Sequence, residues 1–154
     1  MDYVVVKWLH ILSSTFLFGT GIGSAFYMLF ANVSRDVRAI AVVTKYVVIA
    51  DWLFTATTAI LQPVTGFYMI HLAGYPLHSR WIMWSILLYV LAGACWLPVV
   101  WLQIRMRDIA QAAARSNTAL TPQYWRYFRI WVTLGVPAFI AFVAIFWLMV
   151  AKPM

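Results

Sequence analysis

Four stretches of this chain stay apolar for about 20 residues or more, the length a helix needs to cross about 30 Å of hydrocarbon. The first runs from about Tyr3 to Phe30, with Lys7 its one charge. The second begins amphipathically after Ser34 and is apolar from about Val47 to Ile70, with Asp51 the one charged residue inside it. The third covers about Trp81 to Leu102 and the fourth about Phe128 to Val150. Hydrocarbon offers backbone groups no partners, so each stretch must satisfy its own hydrogen bonds as a helix. The expected fold is therefore an all-α integral membrane four-helix bundle. Its helices are expected near 3–30, 35–71, 81–115 and 122–151, in a single transmembrane domain over residues 1–154.

Composition supports this reading. Of 154 residues, 65% are hydrophobic and 10% charged, against about 25% charged in soluble domains. A single Cys excludes a disulfide scaffold, and the apolar content excludes a disordered chain. The first span is longer than the 7–15 residues of a signal-peptide core and lacks a small-residue cleavage site, so it reads as a retained helix.

The net charge of +7 reports orientation rather than nucleic-acid binding. Arg35, Arg38 and Lys45 flank the first connection, and Arg105, Arg107, Arg115, Arg126 and Arg129 lie around the third. The second connection holds only Arg80. Eight of the eleven cations thus fall on one side, which the positive-inside rule makes cytoplasmic, with both termini facing outward. A bacterial inner membrane, with anionic headgroups against the basic loops, is the expected setting. Tyr3, Trp8, Tyr75, Trp81, Trp84 and Trp147 would form the outer aromatic belt, and Trp101, Tyr124, Trp125 and Tyr127 the inner one. Ser34 is the expected N-cap of helix two. Thr121 before Pro122 caps helix four, after a break at Ser116-Asn117-Thr118.

Polar residues in a span mark its protein-facing side. In helix two Asp51, Thr55, Thr58, Gln62, Thr65 and Met69 follow spacings of four and three and so share a face. Helix three offers Ser85, Tyr89, Ala92, Trp96, Val99 and Gln103, and helix one His10, Ser14, Leu17, Gly21 and Ser24. Beside the latter, Gly19 and Gly23 form a small-residue step suited to close helix approach. A carboxylate such as Asp51 costs roughly 2.5 to 3.5 kcal/mol on insertion scales, so it should have a partner. Arg105 or Lys45, at similar depth, would form a structural ion pair with it, and a proton-transfer role is the alternative. Pro63 has no N–H, so helix two is expected to kink there and leave a carbonyl unpaired.

His10, His71 and His78 all fall on the outer side. Imidazole is a common metal ligand and an axial ligand to haem iron. His10 and His71 would hold a haem b between helices, with Ser14 and Gln62 beside them, while His78 completes a metal-ligand set. His71 follows Gln62 by nine residues, which turns it about 180° from the polar stripe on an ideal helix. Copper handling would add Met69 or Met83 as soft ligands. No CxxC, HExxH or Walker glycine loop is present, and Cys95 stands alone.

The segments LHILSSTFLFGTGIGSAFYM, ADWLFTATTAILQPVTGFYMIHLAGYPL, GACWLPVVWLQIRMRDIA and FWLMVAKP resemble the bacterial predicted integral membrane proteins grouped as domain of unknown function 2269. That resemblance covers nearly the whole chain and implies a membrane fold. Helix one alone, through Lys7-Trp8-Leu9-His10-Ile11 and the small residues after it, is similar to the HemJ type of haem b-binding protoporphyrinogen oxidases and to CopD-type copper-resistance proteins. The HemJ similarity implies a haem-associated role for His10. The lysine of that type's third helix has no counterpart between Trp81 and Leu102, a departure that weakens the case for porphyrin oxidation and leaves haem binding to use another second ligand. The resulting expectation is a haem b protein in electron transfer or porphyrin- or quinone-linked redox, with a quinone or redox partner. The alternative is a non-enzymatic accessory protein that packs helices, and the lipid-facing side of helix four is free to serve a homo-oligomer.

Overall fold

The computed structural model describes residues 2–153, and every element in it is helical. In chain order these are α1 (Asp2–Ser34), α2 (Val37–Ala73), α3 (Arg80–Ser116) and α4 (Pro122–Ala151). Each is long and apolar enough to cross a membrane. Even α4, with 30 residues, reaches about 45 Å at about 1.5 Å per residue.

Local chemistry sets the helix ends. Asp36 caps α2, its carboxylate accepting from the backbone N–H of Arg38 and Ala39. Ser34, the expected cap, instead ends α1: its hydroxyl donates to Ala31 O and accepts from Asp36 N–H. The difference is one of reach, since Asp36 stands next to the first helical residue and Ser34 does not. α2 closes on Gly74 at φ 68°, where the N–H of Tyr75 donates to Ile70 O, a left-handed cap that glycine adopts without strain. Asn117 ends α3 in the same conformation, and Thr121 caps α4 with Pro122 at its first position, as expected.

α2 is a continuous helix with one irregular turn. Residues Asp51–Thr55 form a π turn between the α-helical segments Val37–Ala50 and Ala56–Ala73. Before it, α2 packs mainly on α3. After it, α2 packs on α1 and scarcely on α3, while α3 and α4 pair along their lengths. α1 and α4 meet through side chains: Phe18 reaches Phe139, Phe142 and Phe146.

The first and third connections share one end, where Asp36 and Arg38 lie beside Asn117 and Thr118 and Arg35 covers the Trp125 ring. At the opposite end Lys152 lies over Tyr75 and Trp81. The chain therefore runs up, down, up and down, with a basic end and a histidine end. The apolar core lies toward the basic end, around Met28, Ile40, Leu102, Met106, Ala110 and Tyr124. Tyr124, expected in an interfacial belt, is fully buried there. Its hydroxyl donates to Asn32 Oδ1 at 2.7 Å, and Asn32 Nδ2 donates to Met28 O. The Gly19–Gly23 step is not used for close approach, because a Cβ at either position would meet nothing within 4 Å.

Candidate functional site

The polar stripe of α2 is a buried seam. Asp51, Thr55, Thr58, Gln62 and Thr65 are all buried, and each Thr hydroxyl except that of Thr55 donates to a carbonyl one turn earlier in its own helix. The stripe holds two clusters, eleven residues apart from Asp51 to Gln62, or about 16 Å along the axis.

The first cluster joins α1 to the later part of α2. Gln62 Nε2 donates to His10 O at 2.9 Å and to Ser13 Oγ at 2.7 Å. The Ser13 hydroxyl donates in turn to His10 O. His10 Nδ1 and Thr65 Oγ1 are 2.8 Å apart, while Thr65 Oγ1 also stands 2.7 Å from Leu61 O. A threonine hydroxyl has one proton. If Leu61 O takes it, the oxygen accepts Nδ1–H from the imidazole and leaves His10 Nε2 with its lone pair. Gly66 makes room for this ring: a Cβ there would stand 3.3 Å from His10 Cε1. In that tautomer the half-buried His10 is held at Nδ1 while Nε2 has no hydrogen-bond partner among the described residues, the arrangement of ligating histidines, whose second nitrogen is bonded to an orienting partner.

Other expected residues lie elsewhere. Ser14 gives its hydroxyl to Ile11 O, one position round the helix from the seam, and Ser13 takes the place expected for it. His71 is exposed in the last turn of α2, and His78 is exposed in the following loop. Neither is among the groups bonded to His10. Met83 faces outward. Among the described residues no three of His, Cys, Asp and Glu gather as a metal site.

The second cluster surrounds the π turn. Asp51 Oδ1 accepts from the Thr55 hydroxyl at 3.0 Å. The expected pair with Arg105 is not formed. Arg105 lies over the Trp101 ring, Lys45 over Tyr46, and the salt bridge found among the described residues joins Arg107 to Asp108. The hydrogen-bond partner found for Asp51 among the described residues is therefore a neutral hydroxyl of its own helix.

Next to Gln62, α2 contains Pro63. Lacking an N–H, it leaves Ala59 O without its helical donor, and the Tyr89 hydroxyl of α3 donates to that oxygen at 2.6 Å. The carbonyl expected to be unpaired is capped from the neighbouring helix. Tyr89 belongs to the polar line read on helix three, but its role follows only once Pro63 and Tyr89 are known to face each other.

No curated protein and no solved structure matches the chain significantly. The sequence model of the family described as "Predicted integral membrane protein (DUF2269)" matches residues 4–153, nearly the full length of the four helices just described, and the chain belongs to that family.

Proposed function

We propose that this membrane protein binds haem b through His10 and serves electron transfer near the outer face of a bacterial inner membrane. The observation that supports this reading is the tethering of His10: Nδ1 stands 2.8 Å from the Thr65 hydroxyl, and in the tautomer in which that oxygen accepts Nδ1–H, Nε2 keeps its lone pair for a metal. Thr65 and Gly66 orient the ring and make room for it, and Gln62 fixes the backbone that carries it. A bound haem would supply one-electron exchange at its iron, with the protein providing ligand, orientation and a dry surrounding. His71 is exposed and outside the cluster, so the reading uses His10 as the one histidine ligand from this chain.

The test is a visible spectrum of detergent-purified protein expressed with ample haem. The expected result is a Soret band that shifts on reduction, is lost in His10→Ala and survives in His71→Ala. A colourless protein without iron on elemental analysis overturns the proposal. The second reading, an accessory bundle, is favoured by one feature of the same cluster: Gln62, Ser13 and His10 O satisfy one another across α1 and α2 without any ligand. Under that reading His10→Ala changes only the stability of the α1–α2 contact.

A further inference from the structure

At the histidine end of the bundle two aromatic rings and one ammonium group meet. Tyr75 stands one residue past the Gly74 cap of α2, and Trp81 lies in the first turn of α3. Their centroids are 5.5 Å apart and their planes 88° apart. Lys152 Nζ lies over both rings, 5.3 Å from the Tyr75 centroid and 5.6 Å from that of Trp81. The three centres form a nearly equilateral triangle, and both distances fall within the about 6 Å over which a ring face attracts a cation. Lys152 directly follows α4 in the left-handed conformation, at φ 41°, with its N–H donating to Leu148 O. Glycine takes that conformation without the penalty of a Cβ, so the ammonium side chain is what lysine adds there. The same device recurs at the basic end, where Arg35, at φ 56° after α1, lies 5.0 Å from the Trp125 ring centroid of α4.

We propose that Tyr75 and Trp81 form an ammonium-binding site filled by Lys152, and that this site is a latch fastening the end of α4 to the connection between α2 and α3. The packing gives such a latch something to hold. Beyond the π turn α2 packs on α1 and scarcely on α3. Over this half the α1–α2 pair and the α3–α4 pair meet through long side chains, Phe18 against Phe139, Phe142 and Phe146, and Tyr89 against Ala59 O. Lys152 adds a bridge at the very end, from the residue after α4 to the residue where the chain leaves α2. Ring faces attract a cation through their quadrupole and carry no net charge, which suits the edge of the hydrocarbon, where a lysine lays its stem on apolar surface and extends its head. The two contacts act together, because the chain itself keeps the ammonium close to both rings. The latch is separate from the His10 cluster and independent of any haem there.

The chain has three lysines, Lys7, Lys45 and Lys152, so the site can be watched directly. Reductive methylation of the full chain in lipid nanodiscs with carbon-13 formaldehyde turns each ammonium into a dimethylammonium that keeps its charge. The Lys152 signal, assigned by its loss in Lys152→Arg, is expected upfield of that of the exposed Lys7 because of the two ring currents. It is expected to move toward the Lys7 position in Trp81→Leu and in Tyr75→Leu. In the unaltered sequence, tetramethylammonium chloride is expected to move it the same way, and sodium chloride at equal ionic strength to leave it in place. A Lys152 signal that coincides with that of Lys7, or that the two salts move equally, overturns the proposal without reliance on any variant folding. The latch itself is read by amide hydrogen exchange in the last turn of α4. Exchange there is expected to rise several-fold in Lys152→Met and to stay unchanged in Lys152→Arg, which keeps a cation for the rings. Equal exchange in Lys152→Met and the unaltered protein overturns the latch.

Discussion

Pro63 and Tyr89 form a pair whose coupling can be measured. Tyr89→Phe removes the hydroxyl that donates to Ala59 O and leaves the ring and its packing on Phe142. With Pro63 in place, that carbonyl then has no donor from residue 63 and lies in hydrocarbon, where an orphaned buried acceptor costs about 1–3 kcal/mol. In a Pro63→Ala background the new backbone N–H at that position is one turn from Ala59 O and restores the regular helical bond. There Tyr89→Phe removes an extra hydrogen bond to a satisfied carbonyl, about 0.6 kcal/mol on average between membrane helices. The expected coupling energy is therefore about 0.5–2 kcal/mol, with Tyr89→Phe the more damaging change when Pro63 is present. Reversible unfolding in mixed dodecylmaltoside–SDS micelles, followed by far-ultraviolet circular dichroism, measures all four corners of the cycle. Equal costs of Tyr89→Phe in the two backgrounds would refute the reasoning, because they would mean that Ala59 O does not depend on Tyr89 for its donor.

Three further outcomes are expected. Tyr124→Phe leaves Asn32 Oδ1 without its donor in a fully buried place, so it should cost about 1–3 kcal/mol in the same unfolding assay. Asp36→Ala should cost about 1 kcal/mol and Ser34→Ala less, because the Asp36 carboxylate is the group that caps α2. If the basic end is cytoplasmic, Ala119→Cys in a Cys95→Ala background should react with a membrane-impermeant maleimide only after the cell membrane is opened, and His78→Cys before; the reverse pattern would reverse the orientation.

The sequence allows some of this geometry to be read, and the reason is that rotation about a single helix can be computed whereas rotation between helices cannot. The stripe from Asp51 to Thr65 is legible because five polar residues at spacings of three and four share one face, and lipid excludes that face from the outside. All five are buried. On α1 the same reasoning misses by one position: Ser13 and Ser14 are adjacent and equally polar, and only the reach of Gln62 selects Ser13. Tyr124 reads as a belt residue because its position along the helix is right for one, while its burial depends on Asn32, 92 positions earlier. The Asp51–Arg105 pair fails for a related reason. Depth along the helices makes the two neighbours, but Arg105 follows Gln103 by two residues, about 200° round α3 at about 100° per residue. If Gln103 faces Asp51, Arg105 must face away, and it lies over Trp101, one turn before it on the same side. That Arg105 does not pair with Asp51 is thus a consequence of which face α3 turns to α2. The π turn at Asp51–Thr55 has no comparable sequence signal; what distinguishes it is that α2 exchanges α3 for α1 as its main neighbour on either side of that turn. A helix that must present one polar stripe to two neighbours in succession gains from a wide turn at the point of exchange, because the extra residue rotates everything after it.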